Sequence, residues 1–224
     1  MDKPLRNPVL IVCGVLVLAA AAYLLFGRSG TPGDSSPEAG FARDMAVHHA
    51  QAVDMSFVVR DKRPAKEISS LAFDIINTQA NQRGMFLGWL QQWGLDQAGG
   101  DRPMAWMSGH GHGAAAPTAG PTAGPSAAGV ASTGLMPGMA SPEELARLKA
   151  ADGTQAEVLF LQLMIRHHEG GVEMAEGLLD LSTRSEVVNM ARKIVQGQSS
   201  EIKLMTDLLH RRGAQPLPSI LQPK

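Results

Sequence analysis

The stretch FARDMAVHHAQAVDM, residues 41–55, carries two adjacent histidines between two methionines, and FLQLMIRHHEGGVEM, residues 160–174, repeats that arrangement. The residues concerned are His48, His49, Met45 and Met55 in the first stretch and His167, His168, Met164 and Met174 in the second. Residues 41–94 align with residues 160–213 without a gap, and identical residues recur along the whole alignment. The sequence therefore indicates an internal duplication.

The first repeat has the pattern of a helical hairpin. Ser36 followed by Pro37 is a typical helix start, because proline fits the first helical position. Pro64 interrupts the helical pattern, and Gly94 can end the second helix, since glycine readily adopts the left-handed conformation after a helix. One amphipathic hairpin cannot bury its apolar face alone, so two hairpins predict an all-α four-helix bundle.

The second repeat carries helix signals of its own. Thr154 and Thr183 each stand three residues before a glutamate, which is the spacing of a capping box. Gly213 can end this hairpin, as Gly94 ends the first. The residues after Ser141 predict a short extra helix ahead of the repeat.

The N-terminus predicts a membrane anchor. Residues 9–26 carry no charge and approach the roughly 20 apolar residues that a bilayer-spanning helix needs. Lys3 and Arg6 precede this run, which favours a cytoplasmic N-terminus and an extracytoplasmic C-terminal part. A cleaved signal peptide is the alternative. The predicted segments are a cytoplasmic stretch 1–8, a transmembrane signal anchor 9–26, a tether 27–40, a first hairpin 41–94, a linker 95–140, a short helix with the second hairpin 141–213 and a tail 214–224.

The histidines fall on the inward face of their helices. On a helix, His48 shares one face with Met45 and Met55, and His49 lies on the flank of that face. The second repeat places its histidines and methionines in the same way. Burying four imidazoles costs free energy unless each is hydrogen-bonded or bound to a ligand. The pattern therefore predicts either a ligand site or a set of hydrogen-bonded core histidines.

Copper is the metal that this residue set indicates best. Imidazole binds several transition metals, whereas thioether sulfur selects soft Cu(I), and no carboxylate shares the face. A ferritin-type di-iron centre needs Glu-x-x-His, and a zinc protease needs His-Glu-x-x-His; neither motif occurs in the chain. Axial haem ligation by two facing histidines is a minor alternative, because the chain has no haem-attachment cysteine motif. A copper ion held by the four paired histidines and the four flanking methionines is the predicted cofactor.

A second copper candidate lies in the linker, where residues 104–112 read MAWMSGHGH. Its metal-type residues are Met104, Met107, His110 and His112. The Gly, Ala and Pro content around them predicts a disordered linker. Such a segment outside the cytoplasm could capture copper in either oxidation state. The alternative is an ordinary linker with incidental methionines and histidines.

The two repeats resemble the bacterial family catalogued as domain of unknown function 305. The family pattern is Met-x-x-His-His, a following methionine and a later glutamine in the next helix. The matching residues are Met45, His48, His49, Met55 and Gln79 in the first repeat and Met164, His167, His168, Met174 and Gln198 in the second. The resemblance implies a ferritin-like four-helix bundle, usually exported or membrane-anchored, with copper binding and tolerance among some members.

The glutamines extend the predicted site into the second helix of each hairpin. Gln79 and Gln198 could hydrogen-bond the histidines or cap a polar layer. In the family, glutamate often follows this glutamine by three residues. The second repeat keeps it as Glu201, whereas the first repeat has Gln82. If the glutamate orients a histidine, the two halves of the site are not equivalent.

We interpret the chain as a membrane-anchored, extracytoplasmic protein that sequesters copper or hands it on. One alternative is a redox enzyme that uses the same His/Met site, and another is a structural or interaction bundle. The sequence shows neither an open coordination position nor a substrate pocket, which favours binding over catalysis. The net charge of −1 gives no indication of a nucleic-acid partner. The predicted partners are a metal ion, the membrane through residues 9–26 and a protein that exchanges metal.

Overall fold

The computed structural model describes residues 12–18, 30–100, 102–108 and 134–221. The chain divides into two compact units, residues 1–32 and residues 33–224. In the first unit, residues 12–18 are helical, and the remainder of the predicted transmembrane helix 9–26 lies outside the described residues. Across the described ranges, no helix combines the length and the apolar character that crossing a membrane requires.

Every regular element in the described part of the chain is helical. The helices are α1 (Pro37–Asp61), α2 (Lys66–Gln92), α3 (Pro142–Ala150), α4 (Gly153–Leu181) and α5 (Ser185–His210), with a 3-10 turn at Ala105–Met107. Helix α1 packs along α2 and α4 packs along α5, while α1 and α4 contact each other and join the two hairpins. The predicted all-α bundle is confirmed, and its ferritin-like character stays a prediction.

Local signals set the ends of several helices. The Ser36 Oγ accepts a hydrogen bond from the Ala39 amide at 3.2 Å and caps α1. At the start of α3, Ser141 and Glu144 form a reciprocal capping box. Gly94 and Gly213 follow the last helices of their hairpins with φ values of 73° and 70°, a conformation that favours glycine.

Neither capping box predicted for the second repeat forms. Helix α4 begins at Gly153 after Asp152, and α5 begins after Arg184. The glutamate that would complete the first box, Glu157, instead accepts hydrogen bonds from the Ala65 amide and from Arg212, both at 2.6 Å. Long-range pairing of Glu157 thus overrides the local spacing. The glutamate of the second predicted box, Glu186, accepts a hydrogen bond at 3.0 Å from the guanidinium of Arg184, two residues before it in the chain.

The core consists of two apolar clusters separated by a polar layer. The first cluster includes Phe41, Met45, Phe86, Leu90, Met174, Leu178, Val187 and Ile194. The second cluster includes Met55, Val59, Ile75, Phe160, Met164, Ile165, Met205 and Leu208. Each long helix contributes to both clusters and passes between them through a stretch with buried polar side chains. The paired histidines lie in that stretch on α1 and α4.

The two ends of the predicted linker pack on the bundle, contrary to the expectation of disorder over residues 95–140. Met107 is 2% exposed, and its methyl group lies so close to Gly177 that an added Cβ there would be 2.3 Å away. The Met104 amide and the Trp106 indole N–H both donate to Asp44 Oδ2 at 2.8 Å. Buried thioethers and this shared carboxylate explain why residues 102–108 are ordered.

Candidate metal centre

Six polar side chains from all four long helices form a buried layer between the apolar clusters. We call it the histidine layer; its members are His48, His49, His167, His168, Gln79 and Gln198. The four histidines have no exposed surface, and the two glutamines are 2% and 4% exposed. A buried polar group without a hydrogen bond costs on the order of 1–3 kcal/mol in proteins. The hydrogen-bond partners of each imidazole ring therefore determine which nitrogens remain available to bind a ligand.

The two repeats meet in this layer. The rings of His48 on α1 and His167 on α4 are in contact, with centroids 3.8 Å apart and planes tilted by 35°. Within each pair the ring centroids are farther apart, 6.5 Å for His48 and His49 and 6.4 Å for His167 and His168. The structure thus brings both predicted histidine pairs into one region of the core.

The outer histidine of each pair is held by the second helix of its own hairpin. His49 Nε2 lies 2.7 Å from Gln82 Oε1, and His168 Nε2 lies 2.6 Å from Glu201 Oε2. Because both partners are oxygen acceptors, each Nε2 carries the proton and donates it. A neutral imidazole that donates through Nε2 has its lone pair on Nδ1. Metal-binding histidines in proteins are commonly oriented in this way through the nitrogen that does not bind the metal.

His48 is oriented by the linker rather than by a helix. Its Nε2 donates to the Pro137 carbonyl at 3.0 Å. The segment around Pro137 fits tightly on α4, since a Cβ on Gly170 would lie 2.0 Å from the Pro137 oxygen. Gln51 holds the same segment through two hydrogen bonds to the backbone of Ala140, at 3.0 and 2.8 Å. The end of the linker is therefore part of the site.

The layer holds a set of polar atoms that lack hydrogen bonds. They are Nδ1 of His48, His49, His167 and His168, Nε2 of His167, and both amide atoms of Gln79 and Gln198. The Gln198 carboxamide covers Gly171 so closely that a Cβ on this glycine would lie 2.2 Å from Oε1. The predicted hydrogen bonds from the glutamines to the histidines are not among the bonds the layer makes. Four buried lone-pair nitrogens fit the chemistry of a metal that binds imidazole.

Burial lowers the pKa of three of the four imidazoles. Desolvation is the largest cause that lowers the pKa of His48 to about 4 and the pKa of His49 to about 3. The pKa of His167 also lies well below its usual value, first through burial and then through repulsion from the other three histidines. At neutral pH these rings are uncharged, which is the state in which imidazole binds a metal.

The predicted methionine ligands flank the layer on both sides. Met45 and Met174 belong to the first cluster, and Met55 and Met164 belong to the second. All four are fully buried. The first cluster also contains Met104, Met107, Met136 and Met190, so sulfur is concentrated on that side of the histidines.

Two of the predicted linker ligands, Met104 and Met107, lie in the core, whereas His110 and His112 lie outside the described residues. Within the described part of the chain, no three or more His, Cys, Asp or Glu side chains are grouped closely enough to hold a metal ion together. A metal in the histidine layer would therefore be held by fewer than three imidazoles together with methionine sulfur. Coordination by more imidazoles would require rotation of the His48 and His167 rings.

The comparisons with known proteins agree with the fold. The family model described as "Domain of unknown function (DUF305)" matches residues 38–209. A solved protein of this family from Streptomyces coelicolor, predicted to be secreted, shares 45% identity at a TM-score of 0.69, over 83% of this chain and 99% of its own. A DUF305 fragment from Deinococcus radiodurans shares 32% identity at a TM-score of 0.61, over 80% and 99% of the two chains.

A more distant solved structure has the same fold. The protein CopM in its Cu(II)-bound form shares 24% identity at a TM-score of 0.54, over 79% of this chain and 97% of its own. No curated protein matches the chain. Because the family model covers most of the sequence, the chain belongs to the family of the domain of unknown function DUF305.

Proposed function

We propose that the bundle binds copper in its histidine layer and sequesters the ion or hands it on outside the cytoplasm, anchored by residues 9–26. The observation that carries this proposal is the set of four buried Nδ1 atoms without hydrogen bonds. Three of the four rings also donate Nε2–H to an oxygen, which directs the lone pair to Nδ1. Four buried nitrogens without partners are costly in a purely structural bundle, and a bound metal would offset that cost.

The donor set supports copper over the other metals that bind imidazole. Methionine sulfur on both sides of the layer suits Cu(I), and neutral imidazole suits Cu(II) as well. The Glu201 carboxylate contacts His168 Nε2, so it would orient this ring rather than bind the metal directly. CopM, which shares the fold, is described in Cu(II)-bound, Cu(I)-bound and Ag-bound forms. This likeness supports copper as the cargo.

The surroundings of the layer support binding rather than catalysis. The four rings have no exposed surface, so a substrate cannot reach a bound ion without movement of the bundle. A cleft of about 260 Å³ opens near Asp34 and Trp106, but no histidine-layer residue lines it. A metal carrier needs only slow exchange of an ion, which local opening of a helical bundle permits.

Metal analysis of the purified chain tests the proposal. Protein prepared without added metal is titrated with Cu(I) and with Cu(II) against chelators of known affinity, beside the variants His49→Ala and His210→Ala. His210 is an exposed histidine outside the layer and serves as the matched control. We expect tight copper binding by the wild type and by His210→Ala, and a loss of at least about tenfold in His49→Ala. Absence of tight binding by the wild type would refute the proposal.

A further inference from the structure

The histidine layer is nearly symmetric between the repeats, but the residues that orient its two outer histidines differ. His49 and His168 occupy equivalent positions, and so do the partners of their Nε2 atoms, Gln82 and Glu201. The hydrogen bonds are similar in length, 2.7 Å to Gln82 and 2.6 Å to Glu201. One ring therefore donates to a neutral amide and the other to a carboxylate in otherwise similar geometry.

This difference changes the ring as a ligand. A carboxylate that accepts Nε2–H draws the proton away and increases the electron density at Nδ1, whereas an amide oxygen does so only weakly. The carboxylate also brings a negative charge close to any cation on Nδ1. The Glu201 side chain is 25% exposed, so solvent screens this charge only in part.

The charge acts unequally on the two oxidation states of copper. The electrostatic attraction to a nearby negative charge doubles from a monovalent to a divalent cation at the same distance. A more electron-rich imidazole also favours the harder Cu(II), whereas the sulfur-rich side of the layer favours Cu(I). Glu201 therefore biases the layer toward the divalent ion.

We propose that Glu201, acting through His168, biases copper binding by the histidine layer toward Cu(II), whereas Gln82 at the equivalent position beside His49 adds no such bias. This inference rests on the proposed function, since it assumes that the layer binds copper. Glu201 acts through His168 and is a positioning and specificity-determining residue. The two repeats then contribute unequally to the shared site, although the duplicated sequence gives them the same histidines and methionines.

Exchange of the two residues tests the inference. The full chain and the variants Glu201→Gln, Gln82→Glu and Asp54→Asn are titrated separately with Cu(I) and Cu(II). Asp54 is exposed on α1, and its substitution removes one negative charge without altering the layer. We expect Glu201→Gln to weaken Cu(II) binding by about tenfold or more and Cu(I) binding by much less, since such supporting residues commonly contribute 10–100-fold. Gln82→Glu should strengthen Cu(II) binding relative to Cu(I), and Asp54→Asn should change neither.

The ratio of the two affinities separates specificity from structural support. A folding defect weakens the binding of Cu(I) and Cu(II) alike. The melting temperature of each metal-free variant detects such a defect. The paramagnetic resonance spectrum of bound Cu(II) should also change in Glu201→Gln and stay unchanged in Asp54→Asn. If Glu201→Gln fails to fold, the Cu(II)/Cu(I) affinity ratio of Gln82→Glu tests the inference by itself. An unchanged Cu(II)/Cu(I) affinity ratio in the folded variants would overturn the inference but leave the proposed function intact, whereas a wild type that binds neither ion would refute the proposed function itself.

Discussion

The imidazole rings of His48 and His167 lie 3.8 Å apart, centroid to centroid, and join the two repeats at the centre of the bundle. His48 is fixed by the Pro137 carbonyl, whereas neither ring nitrogen of His167 makes a hydrogen bond. Hydrogen bonding thus fixes only the His48 ring of this pair. His167 is the ring of the layer that no hydrogen bond fixes.

The stability of the metal-free protein should fall in mild acid. The folded-state pKa of His48 is about 4, below the value of about 6.5 in an unfolded chain, so the unfolded state binds protons first. Stability is therefore complete above about pH 6.5 and is lost as the pH falls toward 4. For His48 alone the loss is of the order of 3 kcal/mol. Urea unfolding midpoints measured from pH 7.5 down to 4 check this; a flat profile between 6.5 and 5 would contradict it.

A methyl group on Gly170 should destabilise the bundle. A Cβ at this position would lie 2.0 Å from the Pro137 carbonyl oxygen, a backbone atom that cannot move alone. We expect Gly170→Ala to cost about 1–3 kcal/mol, the usual range for overpacking. Gly197→Ala is the matched control, because nothing lies within 4 Å of its Cβ and alanine favours a helix interior by up to about 1 kcal/mol. Chemical denaturation should show a lower free energy of unfolding for Gly170→Ala and a higher one for Gly197→Ala. Equal changes in the two variants would show that residues 134–140 do not pack on α4.

Removal of the Gln51 amide should loosen the segment that orients His48. Gln51 both donates to and accepts from the Ala140 backbone, so Gln51→Ala breaks two hydrogen bonds worth about 0.5–1.5 kcal/mol each. Hydrogen exchange should accelerate over residues 134–140 in this variant while the helices keep their protection. Gln155→Ala, an exposed glutamine on α4, should leave exchange in the segment unchanged. Equal exchange in both variants would mean that Gln51 does not hold the segment.

Local patterns in the sequence predict the helices and the composition of the site. Ser36 and Ser141 begin helices, and the inward stripe that carries His48 and His167 follows from helical periodicity. These features depend on residues within one or two turns of each other. The family resemblance adds Glu201, which the structure places on the His168 ring.

Contacts between distant residues account for what the sequence does not predict. The bond from His48 to Pro137 joins a helix to a segment rich in glycine, alanine and proline, for which composition predicts only disorder. Met107 is buried because Gly177, far along the chain, leaves space for it. Thr154 begins no capping box because Glu157 pairs across the bundle with Arg212. No local signal specifies any of these pairings.

The central claim is that the two histidine pairs form one copper-binding layer, and reciprocal double substitutions test it most directly. Both are made with His110 and His112 replaced by alanine, which removes the linker histidines and leaves the buried Met104 and Met107 in place. Copper titration should show that His48→Ala with His49→Ala abolishes tight binding although His167 and His168 remain, and that the reciprocal pair does the same. Survival of half the sites in each double variant would mean two independent sites, and unchanged binding in both would contradict the account.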